Sequence, residues 1–130
     1  MSANKYGNKK IEVDGIAFDS KKEALRYFEL KIMEQAGEIT DLQMQKEFEL
    51  IPAQYETFER YGKTGNRLQD GTRCIEKSCV YKADFVYIKD GELVVEDVKG
   101  YRDPKSAGYA KFVIKRKLML AVHGIKITEI

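Results

Sequence analysis

The sequence predicts one α/β domain in the order helix, strand, strand, strand, helix, strand. Three observations carry that expectation. A capping pattern at Ser20 opens a helix that Gly37 closes. Two apolar, β-branched runs, YKADFVYI and ELVVEDVKG, flank Lys89-Asp90-Gly91, and Asp-Gly between such runs favours a tight hairpin because both residues tolerate positive φ. A second helical run ends at Gly124, and the alternating IKITEI that follows suits a strand. At 130 residues the chain is long enough to bury the core of a single domain, spanning 1–130.

Taken in order, residues 1–10 are polar and basic and read as a loose arm. KIEVDGIAF reads as a short hairpin about Asp14-Gly15. Ser20-Lys21-Lys22-Glu23 then precedes ALRYFELKIMEQA, in which Ala24, Leu25, Phe28, Ile32 and Ala36 recur at helical spacing and predict the buried stripe. EITDLQMQKEFELIPA reads as a strand ended by Pro52. Residues 55–78 mix glycines, cations and aromatics, which suits a flexible loop or an exposed hairpin reaching over a substrate. Pro104 lies near the start of the last helix, AGYAKFVIKRKLMLAVHG, whose expected apolar stripe is Ala110, Val113, Ile114, Leu118, Ala121 and Val122.

Composition narrows the chemistry. The chain is 43% apolar and 34% charged, and no apolar run reaches the roughly 18 residues that span a membrane. With no apolar leader in MSANKYGNKK, the expected setting is the cytoplasm. Cys74 and Cys79 read as reduced thiols, since the single His123 cannot complete a four-ligand zinc site. The lone histidine also weakens Ser-His-Asp and Cys-His schemes, so catalysis would fall to carboxylates and lysines. The net charge of +2 is uneven: Tyr101 to Leu120 carries +5 and Arg60 to Lys82 carries +4. Basic segments around an acidic centre suit a protein that grips a phosphate backbone.

The acidic centre is the hairpin. Alternation places Asp97 and Lys99 on one face of its second arm and Val98 on the other. Pairing of the arms can bring Asp84 beside Asp97, although a different register would offer Glu96 instead. Two crowded carboxylates repel unless one is protonated or a cation lies between them, and Mg²⁺ or Mn²⁺ suits such oxygen donors. Glu23 has two readings: a helix cap that reaches back to the Ser20 backbone, or a third acid.

An acid on one strand and Asp97-Val98-Lys99 on the next resemble the PD-(D/E)XK nuclease superfamily, with Ala83 where the signature has proline. FDSKKEA, KYGNKK, DLQMQ from Asp41 to Gln45, VVEDVKG, KRKLM and GIKITEI resemble a family of phage-encoded nuclease-like proteins within it. The resemblance implies a restriction-endonuclease-like core, α-β-β-β-α-β, with a central mixed sheet flanked by helices. It also implies Mg²⁺ or Mn²⁺ held by Asp84 and Asp97 with Glu23 and the Val98 carbonyl, and Lys99 positioning the attacking water. Tyr109, Lys111 and Lys115 are the candidate helper residues on the last helix, and Lys111 and Lys115 are expected at the DNA with Lys63, Arg67 and Arg73 of the 55–78 segment and Gln45. The implied activity is DNA endonuclease, similar in site arrangement to phage endonuclease I Holliday-junction resolvases, acting as a homodimer in the host cytoplasm. Two other readings stand beside it: a non-catalytic DNA-binding module, and a phage structural or packaging-associated protein on the same fold.

Overall fold

A computed structural model of the chain describes residues 10–100, 103 and 105–130. The expected arm, apart from Lys10, and Pro104 lie outside them. The elements are β1 (Ile11–Val13), β2 (Ile16–Phe18), α1 (Lys21–Gln35), β3 (Thr40–Ile51), β4 (Gln54–Tyr61), β5 (Arg67–Glu76), β6 (Cys79–Lys89), β7 (Glu92–Asp97), α2 (Ala107–His123) and β8 (Thr128–Glu129). The fold is α/β. A mixed sheet runs in the order β3-β6-β7-β8, antiparallel across its first three strands and parallel between β7 and β8.

Both Asp-Gly turns form as the sequence requires. Asp14 and Gly15 have φ of 52° and 78°, and Asp90 and Gly91 have 52° and 77°. Positive φ at both central positions is the type I′ geometry that matches the twist of paired strands. Ser20 caps α1 by accepting the Glu23 amide at 3.1 Å, and Ser106 caps α2 by accepting the Tyr109 amide at 3.1 Å. Gly124, with φ of 67°, ends α2 in the left-handed conformation.

The sheet buries apolar residues on both faces. Phe18, Ala24, Tyr27, Leu30, Ile39, Phe85 and Tyr87 form one core beneath α1. Leu50, Tyr81, Val86, Val95, Phe112, Met119 and Ile127 form the other beneath α2. Val94 and Val95, adjacent on β7, point into different cores, as strand alternation demands.

The expected helix stripes are corrected. α1 buries Glu23, Ala24, Tyr27 and Leu30, while Leu25, Phe28 and Ile32 stay 54%, 48% and 66% exposed. Polar anchors set this rotation: the Tyr27 hydroxyl donates to Asp14, and Arg26 reaches Glu96 in the sheet. α2 likewise turns Phe112 and Met119 inward and leaves Ala110, Ile114, Ala121 and Val122 exposed, with Leu118 packed at the margin. Of IKITEI, only Thr128–Glu129 pairs as strand. The backbone beyond it still grips β7, with the Ile130 amide donating to the Asp97 carbonyl and the Lys99 amide to the Ile130 carbonyl.

The 55–78 segment is a hairpin. β4 and β5 form their own two-stranded sheet, inserted between β3 and β6. Phe58 lies across from Gly71, where an added Cβ would come within 2.3 Å of the ring. The Arg73 guanidinium stacks on that ring at 5.1 Å. Cys74 and Cys79 are free thiols. Among the described residues, no helix is long and apolar enough to cross a membrane.

Candidate functional site

The two-residue Asp90-Gly91 turn fixes the β6–β7 register, from Lys89 opposite Glu92 to Phe85 opposite Glu96. The next positions along the same register are Asp84 and Asp97. Asp84 Oδ2 accepts the Val98 backbone N–H at 2.8 Å. Both oxygens of Asp97 are engaged: Lys99 Nζ lies 2.7 Å from Oδ1, and the Tyr81 hydroxyl donates to Oδ2 at 2.6 Å. Lys99 Nζ also sits 3.5 Å from the centroid of the Phe112 ring, a close cation–π contact.

Glu23 reaches the same acids from the first turn of α1. Its carboxylate takes a backbone hydrogen bond at Asp19, beside the cap, and feels the charges of Asp97 and Lys99. Its Oε2 is buried with no hydrogen-bond partner, which is costly for a carboxylate oxygen. The expected reach of Glu23 back to the Ser20 backbone is corrected: its carboxylate takes the backbone hydrogen bond at Asp19, one residue earlier, and its other oxygen is left unsatisfied.

Crowding shows in the proton affinities. Burial, then repulsion from Glu23 and Asp97, pushes the Asp84 carboxyl up to about 7, against the opposing pull of the Val98 amide and Lys99. Burial likewise raises Glu23, helped by repulsion from Asp19 and Asp97. Among the described residues, no three acidic, histidine or cysteine groups are gathered closely enough to hold a metal ion. Lys99 supplies the positive charge on Asp97 in this arrangement. The donor atoms are oxygens, one of them unsatisfied, which is the donor type a hard cation takes.

A family profile described as "Protein of unknown function (DUF1064)" matches residues 3–126. The chain belongs to the DUF1064 family. No curated protein and no solved structure matches it significantly.

In this DUF1064 protein the choice between adjacent acids is clear. Glu96 turns to the opposite face from Asp97, 1% exposed, where Arg26 Nε and Nη2 donate to its two oxygens at 2.8 and 2.6 Å. The Tyr87 hydroxyl adds a third hydrogen bond to Glu96. Asp97 is the acid beside Asp84.

Two lysines of α2 line a cleft that borders the acid cluster. A cleft of about 260 Å³ is lined by Tyr81, Lys82, Gly108, Lys111, Phe112 and Lys115. Its Tyr81 and Phe112 are the side chains that touch Asp97 and Lys99, so the basic cleft shares a wall with the acid cluster. A larger cleft of about 340 Å³ on the other flank of α2 has no member of the acid cluster in its lining. The DUF1064 ribbon cations are held locally: Arg73 pairs with Glu56 at 2.5 Å and Arg67 with Asp70 at 2.7 Å, while Lys63 lies in the exposed turn between β4 and β5. Gln45, with φ of 58°, stands opposite Asp84 in the β3–β6 register.

Sequence reasoning missed Tyr81, Lys82, Phe112 and Lys22. Lys22 Nζ donates to the carbonyl oxygens of Lys99 and Ile130 at 2.5 and 3.0 Å, clamping the end of β7. Nothing local in YKADF marks Tyr81 as a partner of Asp97, because the contact depends on pairing across 16 residues. Phe112 reads from sequence only as one apolar residue among many on α2.

Proposed function

We propose that this DUF1064 protein is a metal-dependent DNA endonuclease of the PD-(D/E)XK type. The observation that carries the reading is the meeting of Asp84, Asp97 and Lys99 at the end of the β6–β7 hairpin, with the buried Glu23 carboxylate, one oxygen of it unsatisfied, interacting with the same charges. The order α1-β3-β6-β7-α2-β8 supports a restriction-endonuclease-like core that carries the β4–β5 ribbon as an insertion.

Mg²⁺ or Mn²⁺ would be held by Asp84 and Asp97, with Glu23 and the Val98 carbonyl. When bound, such an ion polarises the phosphoryl oxygen and lowers the pKa of bound water. The chain's own residues do the rest. Lys82, Lys111 and Lys115 attract the phosphate backbone into the cleft. Lys99, held over the Phe112 ring, can orient the attacking water and offset charge on the phosphate as it grows. Lys63, Arg67, Arg73 and Gln45 extend the DNA contacts. A branched substrate such as a four-way junction, and a homodimer to cut paired strands, belong to the same proposal.

The test is cleavage of a labelled four-way junction and its matched linear duplex with Mg²⁺, Mn²⁺ or EDTA. Metal-dependent cutting is expected, with the junction preferred. Equal cutting of both substrates would remove the junction preference and leave the nuclease. A second reading, a nuclease fold serving as a DNA-binding module, is favoured by the absence of a gathered metal-ligand set among the described residues. It predicts DNA binding that survives EDTA and no product with any divalent ion.

A further inference from the structure

We propose that Tyr81 is a positioning residue for the acid cluster, tying down Asp97 Oδ2 so that Oδ1, the oxygen Lys99 pairs with here, is the one a divalent cation would take over. The inference rests on the nuclease reading and names a device that the reading does not require.

The path of β6 makes the contact possible. In a regular strand, residues 81, 83, 85 and 87 would share one face. Here Tyr81 and Ala83 pack in the core beneath α2, whereas Phe85 and Tyr87 pack beneath α1. The changeover falls at Asp84, opposite Gln45 with its positive φ. Tyr81 thereby comes to the face that carries Asp97, and its hydroxyl meets Oδ2 at 2.6 Å in a buried setting.

The contact constrains the acid in a particular way. Asp97 is 7% exposed, so an unpaired Oδ2 would be a buried acceptor without a donor. The Tyr81 hydroxyl is the donor that satisfies it. The other oxygen is the one Lys99 holds at 2.7 Å. Tyr81 also packs 6.3 Å from Phe112, the ring that carries the Lys99 ammonium. One tyrosine therefore sets both the acid and the surface beneath the lysine. Hydrogen-bond partners of metal-ligating carboxylates fix ligand orientation in this manner.

A purely structural role is separable because the fold supplies a matched pair. Tyr87 also donates its hydroxyl to a buried carboxylate, Glu96, on the opposite face of the sheet. Tyr81→Phe and Tyr87→Phe each delete one hydroxyl and keep the ring. The experiment is Mn²⁺ titration by calorimetry, without nucleic acid, on wild type and both variants, with thermal unfolding in parallel. Tyr81→Phe is expected to weaken Mn²⁺ binding by about ten- to a hundredfold. Tyr87→Phe is expected to lower the unfolding temperature and leave Mn²⁺ binding unchanged. Wild-type affinity in Tyr81→Phe, or equal weakening in both variants, overturns the role of Tyr81 and leaves the metal site standing. No Mn²⁺ uptake by wild type overturns the metal site and Tyr81's role together.

Discussion

Replacing Asp84 with Asn should abolish the proposed cleavage and yet stabilise the fold. The Asp84 carboxyl is raised from 3.8 to about 7, chiefly by burial and then by Glu23 and Asp97. Between those values the folded chain binds the proton more tightly than the unfolded chain. This contribution to stability is therefore complete below pH 3.8 and is lost as pH rises toward 7. About three decades of proton affinity at about 1.4 kcal/mol each amount to roughly 4 kcal/mol. Glu23 and Asp97 are coupled to the same charge, so Asp84→Asn should recover only part of this, about 2 kcal/mol at pH 8. The amide oxygen can keep the bond that Asp84 Oδ2 accepts from the Val98 amide. The assay is urea unfolding in EDTA at pH 5.5 and pH 8 for both proteins. Wild type should lose on the order of 2 kcal/mol across that interval, and the variant much less. A variant less stable than wild type at pH 8, or a wild type that gains stability over the interval, would refute the reasoning.

Three further outcomes follow from other parts of the molecule. Glu96→Gln strands the Arg26 guanidinium against a buried neutral amide, so it should cost about 3 kcal/mol in urea unfolding while the acid cluster is left in place. Replacing both Lys111 and Lys115 with Gln should lower the slope of log affinity for duplex DNA against log salt by about 2, measured by fluorescence anisotropy. Gly71→Ala drives a Cβ into the Phe58 ring, so hydrogen exchange should accelerate across 54–76 while the β3-β6-β7-β8 sheet keeps its protection.

The placement of Asp84 against Asp97 in the candidate site was legible because a two-residue turn leaves no freedom of register. Once Asp90-Gly91 closes the hairpin, Asp84 and Asp97 must come level. The helix bounds were legible for a similar local reason, with Ser20 and Gly124 carrying capping chemistry that acts within one turn. The buried helix faces were not. α1 has apolar residues on two sides, so Leu25, Phe28 and Ile32 compete with Tyr27 and Leu30 on equal terms until Arg26 finds Glu96 across 70 residues. On α2, Phe112 and Met119 win over Ile114 and Val122 through contacts with Tyr81 and the sheet, which no periodicity reveals. Tyr81 itself became visible only with the change of faces at Asp84.

The most direct measurement is a parallel assay of cleavage and DNA binding for wild type and Asp97→Asn, in Mn²⁺ and in EDTA. The account predicts that wild type cuts only with the metal, and that Asp97→Asn binds DNA with similar affinity and yields no product. Cutting by Asp97→Asn at the wild-type rate would contradict a catalytic site built on the β6–β7 hairpin.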